Sequence, residues 1–124
     1  MADPASRVTA IIPCNNLDEA ERWWRALGFT CSEGGNFGDY RILSDGEGGE
    51  IHLQTAVEGW VVPGRNPLGV YVYTPRVDAL FAAATQAIHA PSHKAWGMYE
   101  FALNGPDETL VRIGWPTRLR PALG

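Results

Sequence analysis

The chain has 124 residues, enough for one domain with a core of its own. Its net charge is −4, and its ten Lys and Arg are scattered rather than striped, which argues against nucleic acid as a partner. No stretch reaches the roughly 20 apolar residues of a membrane-spanning helix, and no apolar run follows Met1, so neither a membrane nor a secretory leader is expected.

Residues 1–6 read as a loose start. "RVTAIIP" (7–13) is β-branched and apolar, a strand ended by Pro13. "NNLDEAERWWRALGF" predicts a helix: Asn16 is a good N-cap, Glu19 stands three residues on, and Gly28 supplies the left-handed position after the last turn. Leu17, Ala20, Trp23, Trp24 and Leu27 share one face at helical spacing, so these tryptophans read as core. "FTCSEG" is a short strand and "GNFG" a turn. "DYRILSD" and "EIHLQTA" form a hairpin across the "GEGG" turn. Cys14 and Cys31 form neither a disulfide framework nor a CxxC pair, and read as reduced thiols of a cytoplasmic protein.

The segment 57–67, rich in Pro and Gly, reads as a joint between two halves, modules of about 7–56 and 68–116 within one domain. "LGVYVYT" is a strand. Thr74 and Pro75 are expected to open a second helix, as N-cap and first-turn proline, with Val77, Leu80, Phe81 and Ala84 as its apolar face. "HAPSHKAWG" is irregular with a short strand, "MYEFALN" a strand, "GPDE" a turn and "TLVRIGW" the last strand. Both halves therefore read β-α-β-β-β, although they share no obvious sequence repeat.

Such a module covers one sheet face with its helix and leaves the other open. Two of them predict an α+β fold: a cupped mixed sheet with helices on the convex side. Alternation along the strands sends Ile51, Leu53, Val70, Val72, Phe101, Leu103, Val111 and Ile113 to the core. It leaves Glu50, His52, Gln54, Tyr71, Tyr73, Glu100, Ala102, Leu110 and Arg112 on the open face. Two tyrosines, a histidine and an acid–base pair are more than a merely solvated face requires. Glu100 and Arg112 either pair across adjacent strands, or Arg112 holds a ligand carboxylate or phosphate.

"IIPCNNLDEAERWWRALGF", "EIHLQ", "VDALFAA" and "WGMYEFALNGPDETLVRIGWP" together resemble the bleomycin resistance branch of the vicinal oxygen chelate superfamily, which also holds glyoxalases and ring-cleaving dioxygenases. The resemblance spans nearly the whole chain and implies paired βαβββ modules, a homodimer that often exchanges modules, and a binding groove made by both chains. The sequence departs from the family at the last turn, where Gly105 replaces the usual Asp and Glu108 the usual Gly, and Tyr99 stands where relatives often carry Arg. The metal-ligand positions of the superfamily's enzymes correspond to Thr9, His52, Gly69 and Arg112. Only His52 is a good ligand, and no metal or other cofactor is expected.

The resulting expectation is a metal-free binding protein for a small planar compound, an antibiotic among them. Its candidate ligand contacts are Phe37, His52, Gln54, Trp60, Tyr71, Tyr73, Trp96, Tyr99, Glu100 and Arg112, because aromatic rings present flat, rigid surface. The competing readings are dimer interface or loop anchoring for Trp60, and dimer packing across the cleft for Tyr71 and Tyr73. The alternatives are a metal-dependent lyase, isomerase or dioxygenase, and an acid–base enzyme using Glu100 or His52.

Overall fold

The computed structural model describes residues 6–121. The chain divides into two compact units, with the boundary between Val57 and Glu58.

The first unit runs β1 (Ala10–Cys14), α1 (Leu17–Ala26), β2 (Thr30–Asn36), β3 (Tyr40–Ser44) and β4 (Glu50–Thr55). Its sheet has the order β1-β4-β3-β2. β1 lies parallel to β4, and the β3–β4 hairpin is antiparallel. β1 passes through Pro13 to Cys14 instead of ending there. Proline is tolerated because β1 is an edge strand of this sheet, where a missing N–H need not break a ladder. β2 likewise runs on to Asn36 through a register irregularity after Cys31, where a turn was expected.

α1 begins as its sequence predicts. Asn16 Oδ1 accepts the Glu19 N–H at 3.1 Å, and Asp18 and Glu19 place negative charge at the positive end of the helix. Gly28, at φ 94°, ends it. Leu17, Ala20 and Trp24 are buried against the sheet side that holds Ile12, Cys14, Leu43, Ile51 and Leu53. Trp24 meets Phe29 edge-on with ring centroids 5.3 Å apart. Arg41, on the same side as Leu43, is clamped by Asp18 at 2.8 Å and Glu21 at 3.0 Å from the helix.

The second unit runs β5 (Gly69–Tyr73), α2 (Val77–Ala83), β6 (Ser92–His93), β7 (Met98–Asn104) and β8 (Leu110–Pro116). The order β5-β8-β7-β6 repeats that of the first sheet: first strand parallel to last, last antiparallel to third. Val72, Val77, Leu80, Phe101, Leu103, Val111 and Ile113 form its core, and Phe81 of α2 meets Phe101 edge-on at 5.3 Å. The side of the sheet bearing Phe101 is therefore the helix side.

α2 starts at Val77, later than expected. The Thr74 N–H is taken by the Gly114 carbonyl at 3.0 Å, which holds Thr74 in the extended run of the sheet. Its hydroxyl accepts the Arg76 N–H at 3.2 Å in a local turn, and Arg76 occupies the cap position without a side-chain cap. The β7–β8 connection is a 3-10 turn, Pro106–Glu108, in which Asp107 (φ 58°) and Glu108 (φ 61°) are both left-handed. Asn66 staples this turn, donating to the Asp107 carbonyl at 3.1 Å and to Thr109 Oγ1 at 2.8 Å.

Candidate functional site

In the second unit the helix-free side of the sheet is set by register. Tyr71 on β5 lies opposite Arg112 on β8, and Tyr73 opposite Gly114. Across β8, Ala102 on β7 faces Arg112 and Glu100 faces Gly114. Tyr71, Tyr73, Glu100 and Arg112 therefore share one face, as alternation predicted. Trp96 joins them from the turn before β7. That turn closes with a 3.0 Å bond from the Gly97 N–H to the Lys94 carbonyl, Gly97 taking φ 86°. The geometry swings the Trp96 indole back over Glu100.

Glu100 is the centre of this face. It is only 2% exposed. Its Oε1 accepts two hydrogen bonds, from Trp96 Nε1 at 2.7 Å and from Tyr71 Oη at 3.1 Å. A buried carboxylate with no donors would be costly, and these two satisfy it. Burial, and then the bond to Glu100, push the Tyr71 phenol well above its ordinary value, so Tyr71 stays a donor. The Tyr71 and Tyr73 rings lie 4.7 Å apart, tilted by 42°. Tyr73 and Trp96 remain 64% and 62% exposed, so flat aromatic surface is offered outward around a locked polar centre.

Gly114 makes this arrangement possible, and sequence reasoning missed it. A methyl group there would run into Tyr71 Oη and come within 2.9 Å of Glu100 Cβ. The absent side chain lets the Tyr71 ring cross β8 to reach Glu100. Of the two readings left open for Arg112, a pair with Glu100 is not present among the described residues: Arg112 is exposed, and the carboxylate is taken by Tyr71 and Trp96.

Tyr99, grouped with the ligand contacts from its sequence, lies on the other side. It alternates with Glu100 and so points where Phe101 points. Its Oη donates to Asp78 of α2 at 2.6 Å, and the Arg120 guanidinium stacks 3.6 Å over its ring while bonding Asp78 at 3.1 Å. The Tyr99 hydrogen bond, with Arg120, holds the Asp78 carboxyl below its ordinary range. This cluster ties Arg120 and Tyr99 to α2. Trp60 stands in the segment between the units' strands, 69% exposed, with no ring or hydrogen-bond contact to the Glu100 face recorded among the described residues.

The first unit has its own helix-free face. His52 Nδ1 lies 2.6 Å from Tyr40 Oη, and its Nε2 lies 3.5 Å from Glu50 Oε2. Glu50 also accepts from Arg7 at 2.7 Å and from Thr9 Oγ1 at 3.3 Å. The Arg7 bond holds the Glu50 carboxyl below its ordinary value. Tyr40 was not singled out from the sequence, although it shares a face of β3 with Ile42, the cross-strand partner of His52. Gln54 is half-buried beside it, opposite Tyr40, and Phe37 is 65% exposed at the β2–β3 turn.

Thr9, His52, Gly69 and Arg112, weighed from the sequence as metal-ligand positions, are a poor donor set for a divalent ion. Thr9 donates to Glu50, His52 is engaged by Tyr40 and Glu50, Gly69 has no side chain, and Arg112 is a fixed cation. Among the described residues no group of three or more His, Cys, Asp or Glu could hold a metal.

No protein-family model matches the chain, and no curated protein matches it. Solved structures do. A bleomycin-binding protein in complex with bleomycin superposes with a TM-score of 0.74 at 19% identity, over 90% of this chain and 98% of that one. The chain has the fold of the bleomycin-binding proteins. A bleomycin resistance determinant encoded on transposon Tn5 matches with a TM-score of 0.74 at 18% identity, over 90% of this chain and 98% of that one. A glyoxalase/bleomycin resistance protein/dioxygenase from Nocardioides matches with a TM-score of 0.69 at 16% identity, over 99% of this chain and 91% of its own. This α+β fold, two βαβββ units with a mixed four-stranded sheet each, is the one the sequence predicted.

Proposed function

We propose that the protein is a metal-free binding protein that takes a planar aromatic compound, an antibiotic among the candidates, on the face built by Tyr71, Tyr73, Trp96, Glu100 and Arg112. The observation that carries this reading is Glu100: a carboxylate 2% exposed, held by the Trp96 indole and the Tyr71 phenol, beside two rings left more than half exposed. The lock fixes the Trp96 and Tyr71 rings before a ligand arrives, which lowers the ordering cost of binding. Stacking on such rings contributes about 1–3 kcal/mol per ring.

The shared fold with a protein solved in complex with bleomycin supports a sequestering role. The donor chemistry of Thr9, His52, Gly69 and Arg112 supports binding without a metal. A homodimer with the groove between two copies, in the cytoplasm, completes the reading. The exposed Tyr73 and Trp96 suit such an interface, and two cysteines held as thiols, Cys14 and Cys31, suit a reducing compartment.

The test is a fluorescence titration of metal-stripped protein with bleomycin and with planar polycyclic dyes. Saturable quenching at one ligand per chain is expected without metal. Quenching that appears only after a divalent ion is added, or that never saturates with any probe, would refute it.

A further inference from the structure

We infer that this aromatic face selects ligands bearing an oxyanion, a carboxylate or a group like it, with Arg112 as the docking cation. The inference rests on the binding role proposed above and narrows its ligand class.

Arg112 sits in the middle of β8, flanked by β5 and β7. Its same-face neighbours are Tyr71 and Ala102 across the strands, and Leu110 and Gly114 along its own. None carries negative charge. The nearest candidate partner, Glu100, spends Oε1 on Tyr71 and Trp96 and is 2% exposed. No ion pair or hydrogen bond of Arg112 is recorded among the described residues, and its side chain is exposed.

The two charges of this face are therefore unequal in what they offer. The carboxylate is internal, fastening Tyr71 and Trp96. The guanidinium is external, with donors in a planar fork that matches a carboxylate bidentately. An approaching cation would be repelled by Arg112 and would have to displace Trp96 or Tyr71 to reach Glu100. An approaching anion meets a free fork beside stacking surface. The chain's overall charge of −4 opposes this only weakly, because salt screens charges beyond about 8 Å at physiological ionic strength.

The experiment compares three probes of one shape: anthracene-2-carboxylate, its primary amide and the matching aminomethyl cation. Dissociation constants are measured by tryptophan quenching for wild type, R112M and R112K. Wild type is expected to bind the acid about tenfold to a hundredfold more tightly than the amide, the span of a charged hydrogen bond. In R112M that ratio should fall near one with the amide's affinity unchanged. R112K should keep part of the preference, and serves alone if R112M does not fold. Equal binding of acid and amide to wild type, tighter binding of the cation, or a ratio that survives in both variants would remove Arg112 from this role while leaving the aromatic site standing. If none of the three binds, the binding role itself fails and the ligand class falls with it.

Discussion

Replacing Gly114 with Ala should destabilise the protein, against the usual direction of that change. Gly114 does not have a left-handed φ, so alanine can adopt its backbone. Gly→Ala at a compatible site ordinarily stabilises by about 0.4–1 kcal/mol through the unfolded state. Here the new Cβ would overlap Tyr71 Oη and press on Glu100 Cβ at 2.9 Å. β8 is paired on both sides, so its backbone has little freedom to yield. Tyr71 must leave, which breaks a hydrogen bond to a buried charge worth about 1.5–3 kcal/mol. Overpacking adds about 1–3 kcal/mol. Offsetting the gain in the unfolded state, the net loss comes to about 1.5–5.5 kcal/mol, or roughly 6–22 °C in melting temperature for a chain of this size. Thermal and urea melts of G114A, Y71F and the double variant read this directly. In the Y71F background the Oη contact is gone, so G114A should cost markedly less there. A stabilised G114A, or the same cost in both backgrounds, would show that Gly114 does not make room for the Tyr71–Glu100 bond.

Two further predictions concern stability away from that face. Glu108 holds φ 61° where a glycine would relax, and a left-handed L-residue costs about 1–2 kcal/mol. After the entropy glycine adds to the unfolded chain, E108G should still stabilise by up to about 1 kcal/mol in chemical denaturation; a destabilised variant would contradict this. Glu50 is held ionised below its ordinary value of 4.5 by Arg7, so its contribution is present above that value and is lost as pH falls through the lowered one. Wild type should thus lose more stability than E50Q between about pH 5 and pH 3, by less than about 1 kcal/mol because Arg7 is exposed. Parallel urea midpoints of the two proteins across that range measure it, and identical slopes would refute it.

Much of the fold was legible because its signals are local. Asn16 with Glu19, Gly28 after α1, and alternation in "EIHLQ" and "EFALN" need no knowledge of neighbours. Pro13 misled because its effect depends on whether a strand lies at a sheet edge, which one strand's sequence does not state. Thr74 misled because its N–H belongs to Gly114, forty residues on. At the site, alternation placed Tyr71, Tyr73, Glu100 and Arg112 on one face but not which of them bond. That depends on cross-strand register, set by a turn in which Asp107 and Glu108 take left-handed angles without glycine. The same alternation puts Tyr99 beside Phe101, so its place on the helix side could have been read from the strand. Alternation in "YRILS" likewise sets Tyr40 on the side away from Leu43, the side His52 shares, though the contact itself needs the register. Gly114 carried no such signal, since its role is the space it leaves for a residue on another strand.

The most direct measurement of the binding role is a quenching titration of metal-stripped wild type, W96F and W96A with one planar aromatic probe. W96F keeps a ring but loses the indole donor to Glu100, and W96A loses both. Saturable binding to wild type is expected, weakened modestly in W96F and about tenfold or more in W96A, the worth of one stacked ring. Equal affinity across the three proteins, or no saturable binding to wild type until metal is added, would contradict a binding face built around Trp96 and Glu100.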